Sequence, residues 1–478
     1  MKASQQYINE HSAKLEDMFM TRRQLLQRAG MGFGALSLAA LEGMDFLPGT
    51  TSHAASSLSQ LAPKEPHFPV KAQRVVHIFA QGAPSHVDTW DPKPALRARH
   101  GQPLPGMGGD RTALGSPFDF KKTGRSGLEI SEVFPQLAKH ADEIAVIRSM
   151  HTNIPSHEVA TVMMNTGSLR IIKPSLGAWA VYGLGSENQN LPGFISLRPG
   201  GNPPGASKNW ASAFLPGVYS GSSINTSLRR IEDMIANIKN PYTTLAEQRR
   251  QLDLINKLNF KHSQNLQKDA KLEARLEAYE MAFKMQTEAT DAFDISKEPA
   301  KVREKYGNSA QGRQMLITRR LLEKGVRFVQ AWAGGWDHHS NIEVALRGKA
   351  TEIDGPVAAL IQDLKDRGML DSTLIMWGGE FGRTVTSDNN GGVGAGRDHN
   401  NKAFSHWLAG GGVRGGMAYG ATDEFGNSAV TNKVHVHDLH ATVMALLGFD
   451  HKRLTYRYNG RDFRLTDVHG KVVKDIIA

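Results

Sequence analysis

The sequence predicts an α/β protein in which helices cover both faces of a mostly parallel β-sheet, with a helical insertion and a C-terminal hairpin. Short runs of β-branched and aromatic residues recur along the chain, and amphipathic helical patterns separate several of them. Strands that alternate with helices favour a parallel sheet between two helical layers. The length of 478 residues is enough for one large domain that carries insertions.

The first 55 residues resemble a twin-arginine export signal. Arg22 and Arg23 precede an apolar, glycine-containing run at 29–41, and small residues around Ala55 suit a cleavage site. The apolar run is too short for a bilayer-spanning helix, which needs about 20 residues, so no stable membrane span is expected after cleavage. The alternative is an amphipathic surface helix with an incidental arginine pair. We prefer export to the periplasm or cell surface, with the twin-arginine translocase as a partner in transit.

The rest of the chain divides into a linker and the α/β domain. Residues 56–72 are rich in Ser, Pro and Lys and are predicted to be a linker, and the domain is predicted over 73–478. Leucines among dense Lys, Glu and Gln predict a helical insertion at about 241–295. Asn459 and Gly460 predict the C-terminal hairpin, because Asn-Gly suits the positive φ angles of a tight turn. Strands are predicted at 74–79, 143–148, 326–332, 373–377 and 404–409, and helices at 310–324, 351–367 and 436–447.

The composition excludes several kinds of site. The chain has no Cys, which removes disulfides, thiolate zinc sites, iron–sulfur clusters and cysteine nucleophiles, so a metal would have to bind to His and carboxylates. Lys and Arg number 57 against 47 Asp and Glu, a formal net charge of +10. This charge favours an anionic substrate, an acidic polymer or a membrane surface without choosing among them. No basic motif interleaved with aromatic residues is present, so nucleic-acid binding is not expected.

Residue types that bind metals gather just beyond the predicted strands. Asp337 and His339 alternate along the chain, Asp398 and His399 are adjacent, and Glu380 adds a carboxylate. Because ligands of open α/β sheets bind at the carboxyl ends of the strands, these loops are expected to converge. Mixed carboxylate and imidazole ligation suits Zn²⁺ or Mn²⁺ and all-oxygen ligation suits Ca²⁺ or Mg²⁺, so one or two divalent ions are expected. For any one position, helix capping or an Asx-turn is an equally simple interpretation. The segments concerned are 81–93, 149–158, 334–340, 378–384 and 396–400.

Three cations in these segments are candidates for binding an anionic substrate. Arg383 and Arg397 can each hold a tetrahedral oxyanion with two N–H groups, whereas Lys93 would act as a point charge. The alternative for all three is a salt bridge to a neighbouring carboxylate. The histidines from His435 to His440 lie at the start of the last predicted helix, where we prefer a surface or capping role over an accessory metal site.

The motifs at 335–339, 379–384 and 396–400 resemble a large family of exported bacterial proteins, domain of unknown function 1501. The resemblance runs from about Val75 to the C-terminus. That family is similar to the alkaline phosphatase and sulfatase superfamily, whose members hydrolyse phosphate or sulfate esters at one or two metals. The resemblance implies an alkaline phosphatase-like, three-layer α/β/α sandwich. The metal ligands that it implies are Asp337 with His339, Glu380, His399 with Asp398, and either Asp88 or Asp91 after the first strand.

The chain departs from the superfamily pattern in two places. Phe381 follows Glu380 where the superfamily has a metal-binding His. Asn153 occupies the position of the nucleophile, and Asn is a poor nucleophile that cannot become formylglycine. Thr152 is the best substitute, and Asn153 would otherwise position an attacking water. Ser156 is expected at the start of a helix.

The function predicted from these features is an exported, metal-dependent hydrolase of phosphate or sulfate esters, with an anionic ester substrate that a carbohydrate could carry. The convergent ligand clusters favour this hypothesis. The alternative is a superfamily fold that has lost its chemistry and binds a polymer or a partner at the cell surface. Phe381 and Asn153 favour the alternative.

Overall fold

The computed structural model describes residues 60–104, 111–235, 242–265, 279–281, 283–286, 291–388 and 394–478. The predicted export signal and the first part of the predicted linker lie outside the described residues. The chain forms two compact units, one comprising 1–59 and 239–269 and the other comprising 60–238 and 270–478. Among the described helices, none combines the length and the apolar character that a bilayer crossing requires.

Strands and helices alternate along the larger unit. Its strands are β1 (Arg74–Phe79), β2 (Phe120–Thr123), β3 (Leu128–Ser131), β4 (Ile144–His151), β5 (Phe194–Arg198), β6 (Ser222–Asn225), β7 (Phe328–Trp332), β8 (Thr373–Gly378), β9 (Gly382–Ser387), β10 (Arg397–Asn400), β11 (Phe404–Ala409), β12 (Met417–Tyr419), β13 (Ala421–Thr422), β14 (Ala429–Thr431), β15 (Val434–His435), β16 (Tyr456–Tyr458) and β17 (Arg461–Phe463). Its helices are α1 (His86–Thr89), α2 (Pro94–Ala98), α3 (His157–Thr166), α4 (Leu176–Leu184), α5 (Ile231–Met234), α7 (Ala300–Tyr306), α8 (Ala310–Glu323), α9 (Ile342–Asp366) and α10 (Val436–Leu446), while α6 (Leu245–Asn265) belongs to the smaller unit.

Nine of the described strands form one sheet. Its order is β12-β4-β11-β8-β1-β7-β5-β6, and β15 also pairs with β4. β1 lies between β8 and β7 and is parallel to both, with Val76 opposite Ile375 and Val329. β11 runs antiparallel to β4 and β8, and the other pairings described in this sheet are parallel. The prediction of a mostly parallel sheet is confirmed.

Both faces of the sheet are buried, each against its own helices. In β1, Val76 and Ile78 belong to one hydrophobic core and Val75 and Phe79 to the other, as expected because successive side chains of a strand point to opposite faces. The first core includes residues of α8 and α9, and the second includes residues of α4 and α10. The predicted three-layer α/β/α sandwich is therefore confirmed, and the runs of apolar residues in its strands follow from burial on both sides.

The C-terminal elements form as the sequence indicates. β16 and β17 pair across Asn459 and Gly460, whose φ angles of 46° and 81° are the positive values that the turn requires. His435 caps α10: its ring accepts the His437 N–H, and the Asp438 carboxylate accepts the His435 N–H.

Two segments differ in detail from the sequence-based expectation. The described part of the predicted linker packs on the domain, because Leu61 is buried and the Lys64 N–H donates to the Leu184 carbonyl at the end of α4. Within the predicted helical insertion, the structure describes α6 as a helix of 21 residues. Polar strand β6 and the β9–β10 hairpin were not predicted. The hairpin carries four of the candidate site residues, which are Arg383, Arg397, Asp398 and His399.

Candidate metal centre

A cluster of polar side chains lies beyond the carboxyl ends of the central strands. Asp337 and His339 follow β7, and His157 begins α3, which follows β4. His399 on β10 lies opposite Arg383 on β9 in the hairpin register. The expected convergence of loops therefore occurs for the segments after β4, β7 and β8 and for β10.

The Asp337 carboxylate lies at the centre of this cluster. Its Oδ1 atom lies 3.0 Å from His339 Nε2 and 3.3 Å from His399 Nε2, and its Oδ2 atom lies 3.2 Å from His157 Nε2. The Nε2 atoms of His339 and His399 are 3.0 Å apart. Three imidazoles from three different parts of the chain thus direct the same ring nitrogen to one carboxylate.

The other ring nitrogen of each imidazole has an acceptor. Since carboxylates and carbonyls only accept, each Nδ1 atom carries the proton in these bonds, and a neutral ring then has its lone pair at Nε2. At His339 this lone pair accepts an N–H of Arg383. Histidines that bind metals almost always donate their second N–H in this way. The three hydrogen bonds are His157 Nδ1 to Glu380 Oε1 at 2.6 Å, His339 Nδ1 to Asp388 Oδ2 at 2.7 Å, and His399 Nδ1 to the Pro155 carbonyl at 2.9 Å.

These donors fit a divalent ion. Ligands about 2.1 Å from a tetrahedral Zn²⁺ lie about 3.4 Å from each other, close to the spacings around Asp337. Two Nε2 lone pairs that face each other at 3.0 Å repel unless a proton or a cation lies between them. Within the described residues, two sets of possible ligands fall within 4.8 Å: His157, Asp337 and His399 form one, and His339, Asp398 and His399 form the other.

The charges around the cluster keep Asp337 ionised. Burial alone would raise the pKa of Asp337, but the hydrogen bond and charge of Arg383, followed by the charges of His157 and His339, hold it well below its usual range. Burial is also the largest influence on His157, but the hydrogen bond and charge of Glu380 outweigh it and raise the pKa of His157. Burial lowers the pKa of His399, which favours the neutral ring that binds metals.

The Arg383 guanidinium has no N–H left for a substrate. It is almost fully buried and makes five hydrogen bonds. Three go to backbone carbonyls, and the other two go to Asp337 Oδ1 and to His339 Nε2. Arg383 therefore positions Asp337 and the loop after β1, and its expected role in binding a substrate stays a prediction. The carbonyl acceptors are Gly82, Ala83 and Arg397.

Glu380 and Phe381 contact the imidazole rings of the cluster. Glu380 is fully buried, and its two oxygens accept the Gly82 N–H at 3.0 and 3.2 Å, in addition to the His157 bond. It orients His157 and belongs to neither set of possible ligands, so the ligand role of Glu380 stays a prediction. The Phe381 ring lies against the rings of His157 and His399, with centroids 4.9 and 4.8 Å away. Phe381 thus forms an apolar wall where the superfamily pattern has a ligand.

Asp88 and Arg397 do not join the cluster. They form a fully buried, two-pronged ion pair, with Arg397 Nε 2.6 Å from Asp88 Oδ2 and Nη2 3.0 Å from Oδ1. Arg397 also donates to the Thr384 carbonyl. Each charged group satisfies the other, and the metal role expected of Asp88 and the substrate role expected of Arg397 stay predictions.

Asp91 and Lys93 form a second buried group of their own. Lys93 Nζ lies 3.1 Å from Asp91 Oδ1, and the Thr422 hydroxyl donates to Asp91 Oδ2. The Asp91 side chain is 2% exposed and that of Lys93 is 12% exposed. The structure contains the salt bridge that was the alternative for Lys93, and a metal role for Asp91 stays a prediction.

The remaining candidates lie at the edge of the site. Asp398 is partly exposed and lies 3.6 Å from Arg111, an exposed cation that the sequence did not single out. Thr152 is buried, and its hydroxyl has no hydrogen-bond partner among the described residues, so no base contacts it. Asn153 is exposed, with Oδ1 2.8 Å from His435 Nε2. Ser156 precedes the first residue of α3, as expected.

Two residues that belong to the cluster were not selected from the sequence. His157 lies in the 149–158 segment and begins the helix after β4, which was a sufficient signal to select it. Asp388 follows β9 and reaches His339 from 49 residues away along the chain, and no local pattern marks it.

A family model described as "Protein of unknown function (DUF1501)" matches residues 72–477. No curated protein is significantly similar to the chain. Each of the similar solved structures is a distant likeness in fold.

Three of these structures illustrate the likeness. Ps i-CgsB in complex with k-i-k-neocarrahexaose is 12% identical, with 79% of this chain and 72% of that chain covered and a TM-score of 0.33. The PsFucS1 sulfatase from Pseudoalteromonas sp. is 12% identical, with 79% and 68% covered and a TM-score of 0.33. The alkaline phosphatase from the Antarctic bacterium TAB5 is 11% identical, with 74% and 95% covered and a TM-score of 0.31.

Proposed function

The chain belongs to the family of domain of unknown function 1501, and we propose that it is a metal-dependent hydrolase of anionic phosphate or sulfate esters. One observation carries the proposal: three imidazoles direct Nε2 to Asp337 while each Nδ1 is bonded to its own acceptor. A structural role for three histidines would not require all three to direct the same ring nitrogen to one carboxylate. An ion-binding role does.

His157, Asp337 and His399 would hold one divalent ion, with Zn²⁺ and Mn²⁺ suiting the mixed donors best. His339 and Asp398, together with His399, would hold a second ion if two bind. A divalent ion at such a site polarises an ester oxygen and lowers the pKa of water. The ester would therefore be attacked by water.

The chain's own residues hold this arrangement in place. Glu380, Asp388 and the Pro155 carbonyl fix the ring orientations and the proton positions of the three imidazoles. Arg383 keeps Asp337 ionised and fixes its orientation. Phe381 excludes water from the inner side of two imidazoles.

The proposal does not use a covalent nucleophile from the chain. The Thr152 hydroxyl is buried without a base in contact, and the Asn153 amide is not nucleophilic. Asn153 is exposed at the rim, where its amide can position the substrate or the attacking water.

We also propose that the protein is exported by the twin-arginine route and that its substrate is an anionic ester, including esters on carbohydrate. The paired arginines Arg22 and Arg23 before an apolar run support export, and the net charge of +10 supports an anionic substrate. Replacing both arginines with lysine and following the protein in cell fractions tests the route. Accumulation of the variant in the cytoplasm is expected, and unchanged export would contradict it.

Metal analysis combined with ester assays tests the hydrolase. The purified protein is expected to contain bound divalent metal and to hydrolyse a phosphate or sulfate monoester or diester. Asp337→Asn removes one charge at nearly constant shape. It should lower activity by more than about 100-fold, because losing a ligand exceeds the about 10–100-fold effect of losing an outer partner. Asp371→Asn, at an exposed carboxylate, is the matched control and should change neither quantity. Metal-free protein without turnover, unaffected by Asp337→Asn, would refute the proposal.

A second candidate function is a binding protein that holds a metal and an anionic ligand without turnover. The isolation of the Thr152 hydroxyl favours it, since the chain lacks the nucleophile that the superfamily uses. This candidate predicts metal binding and ligand retention with no product release. Hydrolysis that His399→Ala abolishes would exclude it.

A further inference from the structure

A cavity lies beside the candidate metal centre, between the end of α3 and the start of α10. Its volume is about 970 Å³, and Asn153 forms part of its wall. His437 Nε2 donates to the Gly167 carbonyl and thereby ties α10 to the end of α3. Asn153 is two residues from Pro155, whose carbonyl bonds His399, and two residues of chain span at most about 7 Å.

The wall of this cavity is strongly cationic. Four exposed cations in it have no ion-pair partner among the described residues. The two carboxylates in the wall form no ion pair with these four cations. Asp467 pairs with Lys173 at 2.8 Å, and Asp438 accepts the backbone N–H groups of His435 and Lys471. The cavity thus has an excess of positive charge that the protein itself does not neutralise. The four unpaired cations are Arg170, Lys433, Lys452 and Lys471.

The rim of the same cavity exposes apolar side chains. Ile171 and Val468, from two distant segments of the chain, are 67% and 73% exposed, and Leu169 is 38% exposed. Ile172, next along the chain, is 54% exposed. Large apolar side chains that gather at one exposed place mark an interaction surface. A fully solvated polyanion would bind to the cations and would leave these side chains in water.

We propose that this cavity binds the phosphate headgroup of an anionic lipid, and that the apolar rim inserts into the membrane surface around it. Cations near an anionic leaflet attract it, and apolar side chains beside them enter the boundary between headgroups and acyl chains. This combination uses both features of the cavity. It would place the candidate metal centre next to a membrane surface.

Two kinds of variant separate the contributions. Each cation near an anionic surface contributes about fivefold to membrane affinity, so Lys433→Glu with Lys471→Glu should weaken binding by at least about 25-fold. Ile171→Asp with Val468→Asp places charges where the rim must enter the membrane and should weaken binding by at least about tenfold. All four side chains are exposed, so the thermal unfolding temperature should stay unchanged and will show that the variants fold.

The experiment is co-sedimentation of the full chain with vesicles. We expect binding to vesicles that contain phosphatidylglycerol, weak binding to phosphatidylcholine vesicles, and loss of binding in both double variants. The matched controls are Lys301→Glu on α7 and Val344→Asp on α9, exposed positions on helices that pack in the opposite helical layer. Both controls should bind as the unmodified chain does.

Three results would overturn the proposal. One is the absence of binding to phosphatidylglycerol vesicles at low salt. Another is vesicle binding by the Ile171→Asp and Val468→Asp double variant that equals binding by the unmodified chain, which would show that the cations bind the vesicles without insertion of the apolar rim. The third is tighter binding of glycerol 3-phosphate or of a heparin-derived oligosaccharide in solution than of the vesicles, which would identify a soluble anion as the ligand. Because vesicle binding is measured without catalysis, its failure is independent of the hydrolase proposal.

Discussion

Glu380→Gln should weaken metal binding although Glu380 belongs to neither set of possible ligands. The carboxylate accepts the His157 Nδ1 proton at 2.6 Å and the Gly82 N–H at 3.0 and 3.2 Å, and it is fully buried. A Gln carbonyl oxygen can replace Oε1, but its NH₂ group then faces the Gly82 N–H at the place of Oε2. Neutralisation also weakens the hold on the His157 proton.

The expected magnitude follows from both effects. Loss of an outer partner of a metal-binding His lowers metal affinity by about 10–100-fold, or about 1.4–2.7 kcal/mol. The NH₂ group that faces a donor is a buried unsatisfied polar group, which lowers the free energy of unfolding by about 1–3 kcal/mol. The variant should therefore bind Zn²⁺ more weakly and unfold at a lower temperature even without metal.

Competition against a chromophoric zinc chelator at fixed pH measures the first effect, and thermal unfolding in chelator measures the second. Glu352→Gln is the matched control, because Glu352 is half exposed and its carboxylate pairs with Lys349. It should change neither quantity. A Glu380→Gln protein that is less stable but binds Zn²⁺ as tightly as the unmodified chain would show that Glu380 is structural only and would refute this account of the site.

Three further predictions concern the support of the site. Burial lowers the pKa of His406 to about 4, so between about pH 6.5 and pH 4 the unfolded chain binds a proton at this ring and the folded chain does not. The free energy of unfolding should therefore fall by about 1.4 kcal/mol per pH unit over that range. Urea unfolding of His406→Gln should show a shallower dependence on pH. Gly396→Ala should weaken zinc binding in a chelator competition, because its Cβ would lie 2.1 Å from the carbonyl carbon of His339 and force the loop that carries this possible ligand to move. Arg397→Met should lower the free energy of unfolding in urea by about 3–5 kcal/mol, since it leaves the fully buried Asp88 carboxylate without its partner, and an unchanged value would contradict the pairing.

Most of the fold could be predicted because burial on both faces leaves a strong local signal. The central strands β1, β7 and β8 are mostly apolar and almost fully buried, and their predicted bounds differ from the observed ones by at most two residues. β6 has the sequence Ser-Ser-Ile-Asn, which indicates a turn as readily as a strand. Its identity depends on pairing with β5, and a pairing between strands leaves no pattern within either one.

The candidate site could be predicted only where position along a strand decides proximity. Asp337 and His339 follow a central strand, so the rule for the carboxyl ends of parallel strands places them correctly. Asp88 satisfies the same rule, yet its carboxylate is taken by Arg397, which lies 309 residues further along the chain. Local sequence gives the type of a residue and its place on an element. It does not show which of several distant partners will neutralise a charge.

The formal charges at the centre indicate that an ion must bind before an anionic ester can. Arg383 and Arg111 contact carboxylates of the site, and with the imidazoles neutral, as metal ligands are, these groups leave a net charge of −2, while a proton on His157 in the metal-free site makes it −1. One divalent ion brings this sum to zero, and two make it positive, so an oxyanion is repelled from the metal-free site. Calorimetry with inorganic phosphate should detect binding to this centre with Zn²⁺ and none in chelator, and equal binding in both would mean that the anion uses other cations. The carboxylates counted are Asp337, Glu380, Asp388 and Asp398.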